Sequence, residues 1–265
     1  MLLPLYDTVV SRCLLLYGEW AFAEMALLGP LLRPGDVAID CGGHIGAHTL
    51  VFARRVGPTG RVLSFEPQRL LYQHLCANAA LNGLTNVIAA WAALGATPGA
   101  IRPPEIDIGR PANLGARKLH GQTPGPLQVP VRTIDGMGLS TCRLIKIDAE
   151  GMEREIILGA SQTIGRLRPL LYVENNDRER SAALIETITE RGYRLFWHFS
   201  PYFRPGNPNK QTQNVFPNTA DPNMLCLPAE VEAALPPLDP VRGADDDWVK
   251  ARQRLIERIK TSSKI

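Results

Sequence analysis

Ten consecutive residues, Val37-Ala38-Ile39-Asp40-Cys41-Gly42-Gly43-His44-Ile45-Gly46, constrain this chain more than any others. A short apolar run ends on a carboxylate, a glycine-rich turn follows, and a helical pattern begins at Ala47. Glycines allow backbone conformations and close approaches that a side chain would block. A turn of this kind fits a nucleotide-like ligand at the carboxyl end of a parallel sheet. The rest of the chain repeats the same rhythm. Strands are predicted at 37–40, 62–65, 86–90, 144–148, 170–173 and 194–199, with helices at 47–55, 70–81, 153–164 and 178–191. The strands are almost continuously apolar, whereas the helices carry apolar residues three or four apart. Together they predict an α/β fold with a mostly parallel sheet and helices on both faces.

The ligand can be narrowed from the charges. In the register of the dinucleotide fingerprint GxGxxG the first glycine is replaced by Cys41, and Asp40 stands beside the loop. A fixed negative charge there repels a pyrophosphate but attracts a cation. S-adenosylmethionine, with its ammonium and sulfonium, suits the loop better than NAD does. A second acid follows at Glu66, within Val62-Leu63-Ser64-Phe65-Glu66-Pro67, where a carboxylate can accept hydrogen bonds from both ribose hydroxyls. Pro67 suits the first turn of the next helix. The competing explanation is that Asp40 and Glu66 are strand-end carboxylates at helix starts and nothing more.

Composition removes several classes. The 265 residues include 29 Lys and Arg against 26 Asp and Glu, a net charge of +3, without a dense basic stripe carrying aromatics. Phosphate-led binding of nucleic acid is therefore not expected. Five scattered cysteines, none in a CxxC pair, argue against a disulfide framework or a zinc site and for a reducing, cytoplasmic setting. No apolar run reaches the roughly 18 residues of a membrane helix, and Asp7 and Arg12 interrupt the apolar start, so neither a membrane span nor a signal peptide is expected.

With these motifs the sequence resembles the FkbM-type methyltransferase family. The match runs from Tyr17-Gly18-Glu19-Trp20 through the glycine loop and Ser64-Phe65-Glu66-Pro67 to Asn86-Val87, Ala92-Ala93-Leu94 and Val129-Pro130-Val131-Arg132-Thr133-Ile134-Asp135. It is strongest at Leu144-Ile145-Lys146-Ile147-Asp148-Ala149-Glu150-Gly151-Met152-Glu153 and closes with Tyr172-Val173-Glu174-Asn175, Trp197-His198 and Asn223-Met224-Leu225-Cys226-Leu227-Pro228. Cys41, Gly43 and His44 stand where the family commonly has Val, Ala and Asn. The resemblance implies a Rossmann-like class I methyltransferase sheet with an antiparallel strand near its C-terminal edge. It also implies S-adenosylmethionine as donor and methyl transfer to oxygen on a sugar, glycan or natural-product hydroxyl. One domain is expected over 1–265: N-terminal helices in 1–33, the α/β core in 34–199, an acceptor-side loop and last strand in 200–228, and a C-terminal helix in 229–265.

The donor site is expected at Tyr17, Glu19, Asp40, Gly42, Gly43, His44, Gly46, Glu66, Pro67, Ala92 and Asp148, with Tyr17 to Trp20 folded over it. Methyl transfer demands positioning of the acceptor on the methyl axis, and an aliphatic hydroxyl needs a base or a metal. Asp148, Glu150 and His198 are the candidate catalytic groups. Asp148, Glu174 and Asn175 form a hypothetical all-oxygen site for Mg²⁺ or another divalent cation, against direct binding of acceptor hydroxyls or plain helix capping. Lys146, in mid-strand, is expected to neutralise a neighbouring acid, and His48, His74 and His120 are read as structural or exposed. Pro201 to Pro205 reads as an acceptor lid, and the Pro-rich 97–126 as an interface or an acceptor wall. The expected partner is a small-molecule or carbohydrate acceptor rather than nucleic acid or membrane, and assembly into a homo-oligomer is left open. Rival functions are methylation of nitrogen or of a macromolecule, an NAD-dependent oxidoreductase, and a catalytically silent binding module.

Overall fold

Strands that are apolar on both sides need cover on both faces, and the computed structural model supplies it for the residues it describes, 1–116, 123–232 and 235–262. In chain order the parallel core is β1 (Val37–Cys41), α3 (Ala47–Val56), β2 (Arg61–Phe65), α4 (Arg69–Leu81), β3 (Val87–Ala90), β7 (Leu144–Ile147), α5 (Glu153–Leu158), α6 (Ser161–Leu167), β8 (Leu170–Glu174) and α7 (Arg178–Thr189). Before it come α1 (Val10–Tyr17) and α2 (Phe22–Leu28). After it come β9 (Tyr193–Pro201), β10 (Ala220–Pro228), β11 (Asp239–Pro240) and α8 (Trp248–Ser262). The sheet order is β11-β9-β10-β8-β7-β1-β2-β3. The five strands from β3 to β8 are parallel, while β10 runs antiparallel to both β8 and β9. This is a Rossmann-like class I methyltransferase sheet with its antiparallel strand set in from the edge.

Alternation along the strands divides the core in two. Ile39, Ile145, Ile147, Leu171 and Val173 face α5, α6 and α7, which contribute Ile156, Ile157, Ile164, Leu184 and Ile188. Ala38, Leu144, Leu170 and Tyr172 face α2 and α3 through Leu27, Leu28, Phe52 and Val56. Because β1 is flanked by β2 on one side and β7 on the other, the chain reverses direction across the sheet at β1. The crevice beyond the carboxyl ends of β1 and β7 is the place where open α/β sheets take their ligands.

Several boundaries differ from those predicted. The helix expected over 153–164 is two helices, α5 and α6, broken at Gly159. A Cβ on Gly159 would lie 2.0 Å from the Gly95 carbonyl oxygen, so the backbones touch there. Asp135, the end of the Val129–Asp135 motif, caps the second helix by accepting from the N–H groups of Gln162 (2.9 Å) and Thr163 (2.7 Å). The acceptor-side loop expected within 200–228 is confined to 202–219, because β9 and β10 pair as far as Pro201 and Ala220. A small sheet of β4 (Ala93–Leu94), β5 (Gly99–Ile101) and β6 (Val129–Arg132) was not foreseen, and its strands are too short to carry a period. The C-terminal segment becomes helical only from Trp248; α8 buries Ala251 and ties Arg254 to Asp239 and Asp246. All five cysteines are free, and among the described residues no helix is long and apolar enough to cross a membrane.

Ile145 is fully buried in the central strand β7. Ile145→Ala is expected to cost about 2–5 kcal/mol, through lost burial and an unfilled cavity. Urea unfolding followed by far-UV circular dichroism measures it.

Candidate active site

The glycine loop is shaped by what lies beneath it. Gly42 has φ +87°, a left-handed conformation, and a Cβ there would fall 1.8 Å from the Asp148 carbonyl oxygen. Only glycine lets the loop after β1 rest directly on the backbone leaving β7. The N–H groups of Gly42 and Gly43 both donate to the Phe65 carbonyl (3.0 and 2.9 Å), stitching the loop to the end of β2. His44 follows at φ +50° and donates its N–H to Glu66 Oε2 at 2.9 Å.

These strand ends open on a cavity of about 190 Å³. One end is lined by Gly42, Gly43, His44, Glu66, Pro67 and Ala92, all expected at the donor site, and by Gln68, which was not. Glu66 is 5% exposed and accepts N–H bonds from Gln68 (2.7 Å) and His44. Burial pushes its carboxyl up to about 7, against the pull of those two bonds. Burial drives the His44 imidazole down to about 4, so it is neutral at physiological pH, and neither ring nitrogen has a hydrogen-bond partner.

Four residues expected at the donor site lie outside this lining. Asp40 is fully buried beneath the loop, accepting from Thr49 Oγ1 at 2.6 Å, with Lys146 Nζ 3.8 Å from its other oxygen. The register explains this: Asp40 pairs with Ser64 and Lys146 on adjacent strands, so the three side chains share the face toward α3. Asp40 thus lies beneath the loop, outside the cavity lining. Gly46 packs on Leu50 and Leu75 at the start of α3. Tyr17 is wholly buried against Phe203 and Phe216, its hydroxyl accepting from the Val215 N–H at 2.9 Å. Glu19 grips Arg204 in a two-pronged ion pair, 2.8 Å on each prong. Tyr17 and Glu19 thus hold the 202–219 strap outside the cavity lining, and it is Trp20, its ring centroid 4.8 Å from that of Tyr202 and tilted at 59°, that reaches the cavity.

The other end of the cavity is acidic. One carboxylate oxygen each from Asp148, Glu150 and Glu174 lie within 4.8 Å of one another. Burial opposes ionisation of Asp148, but the Lys146 ammonium, 3.0 Å from Oδ2, outweighs it and holds the carboxyl below its ordinary range. Lys146 therefore balances two acids, Asp40 and Asp148, as its mid-strand position required. Burial, then the charges of Asp148 and Glu150, push Glu174 well above the usual carboxylate range. Asp221 is pushed up to about 8, chiefly by burial and then by Glu24, and accepts from the Tyr202 hydroxyl at 2.6 Å.

Asn175 and His198, also expected at the site, lie outside the cavity lining. Asn175 is turned into the sheet, its N–H donating to Pro222 and its amide resting on Met224 Sδ, so it does not line the cavity with Asp148 and Glu174. Its neighbour Asn176 lines the cavity instead, donating to Glu174 Oε1 at 2.8 Å. His198 does not line the cavity; it hydrogen-bonds the Tyr172 hydroxyl at 2.8 Å, and burial lowers its pKa. His48 does line it and is paired with buried Glu24 at 2.8 Å, whereas His74 bonds the Leu70 carbonyl and His120 lies outside the described residues.

The roof comes from the two segments hardest to read. Val9 and Val10 and residues 113–116 cover the cavity. Asp7, 3% exposed, joins them by accepting from the N–H groups of Ser11 (2.7 Å), Val9 and Leu114 (both 3.3 Å). The Pro-rich segment is thus a cavity wall over at least these four residues.

The glycine loop on the backbone of β7, the acid after β2 and the acidic far end all sit on a sheet with the class I methyltransferase strand order. The chain belongs to the FkbM family: the profile described as Methyltransferase FkbM domain matches residues 40–195. Among solved structures, the methyltransferase FkbM from Methylobacillus flagellatus KT superposes with a TM-score of 0.53 at 18% identity, over 79% of this chain and 49% of that one. The chain thus spans about half the length of that relative. A SAM-dependent O-methyltransferase from Thermotoga maritima matches at 15% identity over 79% of this chain and 66% of that one, TM-score 0.46. Aeropyrum pernix fibrillarin, solved with natively bound S-adenosyl-L-methionine, matches at 9% over 75% and 68%, TM-score 0.42. No curated protein matches the sequence.

Lys146→Met removes the cation between two carboxylates and is expected to destabilise the fold by about 3–5 kcal/mol, measurable by chemical unfolding. Asp7→Ala is expected to speed hydrogen exchange at the Ser11 and Leu114 amides by about tenfold or more, leaving Ile145 unchanged.

Proposed function

We propose that this protein transfers the methyl group of S-adenosylmethionine to a hydroxyl oxygen of a sugar, glycan or natural-product small molecule. The observation that carries the reading is one cavity with two unlike ends: the glycine loop with Glu66, and the carboxylates after β7 and β8. The first end fits the donor. Glu66 keeps free lone pairs for ribose hydroxyls, the Gly42 turn leaves no Cβ in the way, and His44 offers unpartnered ring nitrogens in a neutral form that does not repel a sulfonium. When bound, the donor supplies a methyl carbon already activated toward displacement.

The chain's own task is then to aim an acceptor oxygen and take its proton. Asp148, held ionised by Lys146, orients the hydroxyl by accepting from it. Glu174 is the proposed base: burial makes its carboxylate more basic than a solvated one, which suits proton removal near neutrality. Below its pKa this group keeps its proton and cannot accept another, so kcat/KM is expected to rise with pH above the ordinary carboxylate range. Glu174→Gln is expected to flatten that rise and lower kcat about 10²-fold or more, while binding of S-adenosylhomocysteine stays within about threefold. An unaltered pH profile in Glu174→Gln would remove Glu174 as the base.

The spacing of Asp148, Glu150 and Glu174 also favours a second reading, in which the three hold a hard divalent cation that acidifies the hydroxyl. Thorough chelation with EDTA separates the two: full turnover afterwards leaves the carboxylates alone as the machinery. Calorimetry tests the donor itself. S-adenosylhomocysteine is expected to bind and NAD not to, with Glu66→Ala weakening binding roughly tenfold to a hundredfold.

A further inference from the structure

We propose that Gln68 is a specificity residue for the adenosine half of the methyl donor, its side-chain amide donating a hydrogen bond to a purine ring nitrogen. This rests on the donor reading above and assigns a residue that neither the loop motif nor the two acids pointed to. Gln68 stands at the N-cap of α4, where short polar side chains normally bend back to hold the first N–H groups of the helix. Its own side chain makes no such bond. The backbone is fully engaged, the N–H on Glu66 Oε1 at 2.7 Å and the carbonyl accepting from Tyr72 N at 2.9 Å. The amide is therefore the free part of the residue. It lines the cavity, the residue is 7% exposed, and Nε2 has no hydrogen-bond partner.

A buried amide N–H without an acceptor is costly and rarely kept, so a ligand atom is the natural partner. The partner must be an acceptor. Glu66, two residues earlier, only accepts in its ionised form, which suits ribose hydroxyl protons but does not serve ring nitrogens that are acceptors themselves. An amide N–H supplies what the carboxylate cannot, in the way that Asn and Gln read adenine edges elsewhere. The turn carrying both is held from behind, because Trp91 Nε1 donates to the Pro67 carbonyl at 2.9 Å. The backbone that carries the amide is thus in place before the ligand arrives.

The test is calorimetry with S-adenosylhomocysteine and its 1-deaza, 3-deaza and 7-deaza analogues, each of which lacks one ring acceptor. Gln68→Met keeps the length and loses the N–H, and it is expected to weaken S-adenosylhomocysteine about tenfold. One deaza analogue is expected to lose a similar factor on the unaltered protein, and that loss is expected to vanish in Gln68→Met. Gln68→Glu, which turns an acceptor toward the ring nitrogen, is expected to bind more weakly still, and it serves in place of Gln68→Met if thermal unfolding shows that variant misfolded. Equal affinity in Gln68→Met and the unaltered protein overturns the proposal, as do deaza losses identical in both. Failure of the unaltered protein to bind S-adenosylhomocysteine would instead sink the donor reading beneath it.

Discussion

The site depends on a contact between two backbones. The loop leaving β1 passes so close to the Asp148 carbonyl that position 42 has no room for a Cβ, and its left-handed φ favours glycine independently. That contact joins the two strands on either side of the point where the sheet reverses its order. It brings the acid after β2 and the acids after β7 and β8 to one cavity. A bulkier residue would have to lift the loop off β7, separating the two ends that the chemistry needs together.

Charge is arranged around the same junction. Lys146 is wholly buried, a position that an ammonium tolerates only with partners. It has two, Asp40 beneath the loop and Asp148 at its edge. One cation thus supports the loop from below and keeps one cavity carboxylate ionised. Among the described residues Glu174 and Asp221 form no ion pair with a cation, and burial drives both toward their protonated forms. Groups of one chemical type are given opposite tendencies by their neighbours, the usual basis for dividing acid and base roles within a site.

The roof and the strap are held by local devices that leave little trace in sequence. Asp7 collects backbone N–H groups from its own segment, at Val9 and Ser11, and from distant Leu114, and Glu19 grips Arg204, whose guanidinium lies 3.7 Å from the Phe22 ring centroid. Through them the N-terminal segment, the Pro-rich segment and the strap close over the crevice of an otherwise open sheet.

Periodicity and the glycine loop were enough to determine the parallel core, its helices on both faces and the acids at the ends of β1 and β2, because apolar alternation and strand-end motifs are properties of neighbouring residues. The place of Glu66, Pro67 and Ala92 in the cavity wall was legible for the same reason. Which side of a strand Asp40 faces, whether Tyr17 packs or binds, and that Asn176 rather than Asn175 meets Glu174 were decided by register and by segments far apart in the chain. Gln68, Asp221 and residues 113–116 carry no motif of their own. Their role exists only where folding brings a strand end, an antiparallel strand and a proline-rich wall around one space, and no local pattern encodes that meeting.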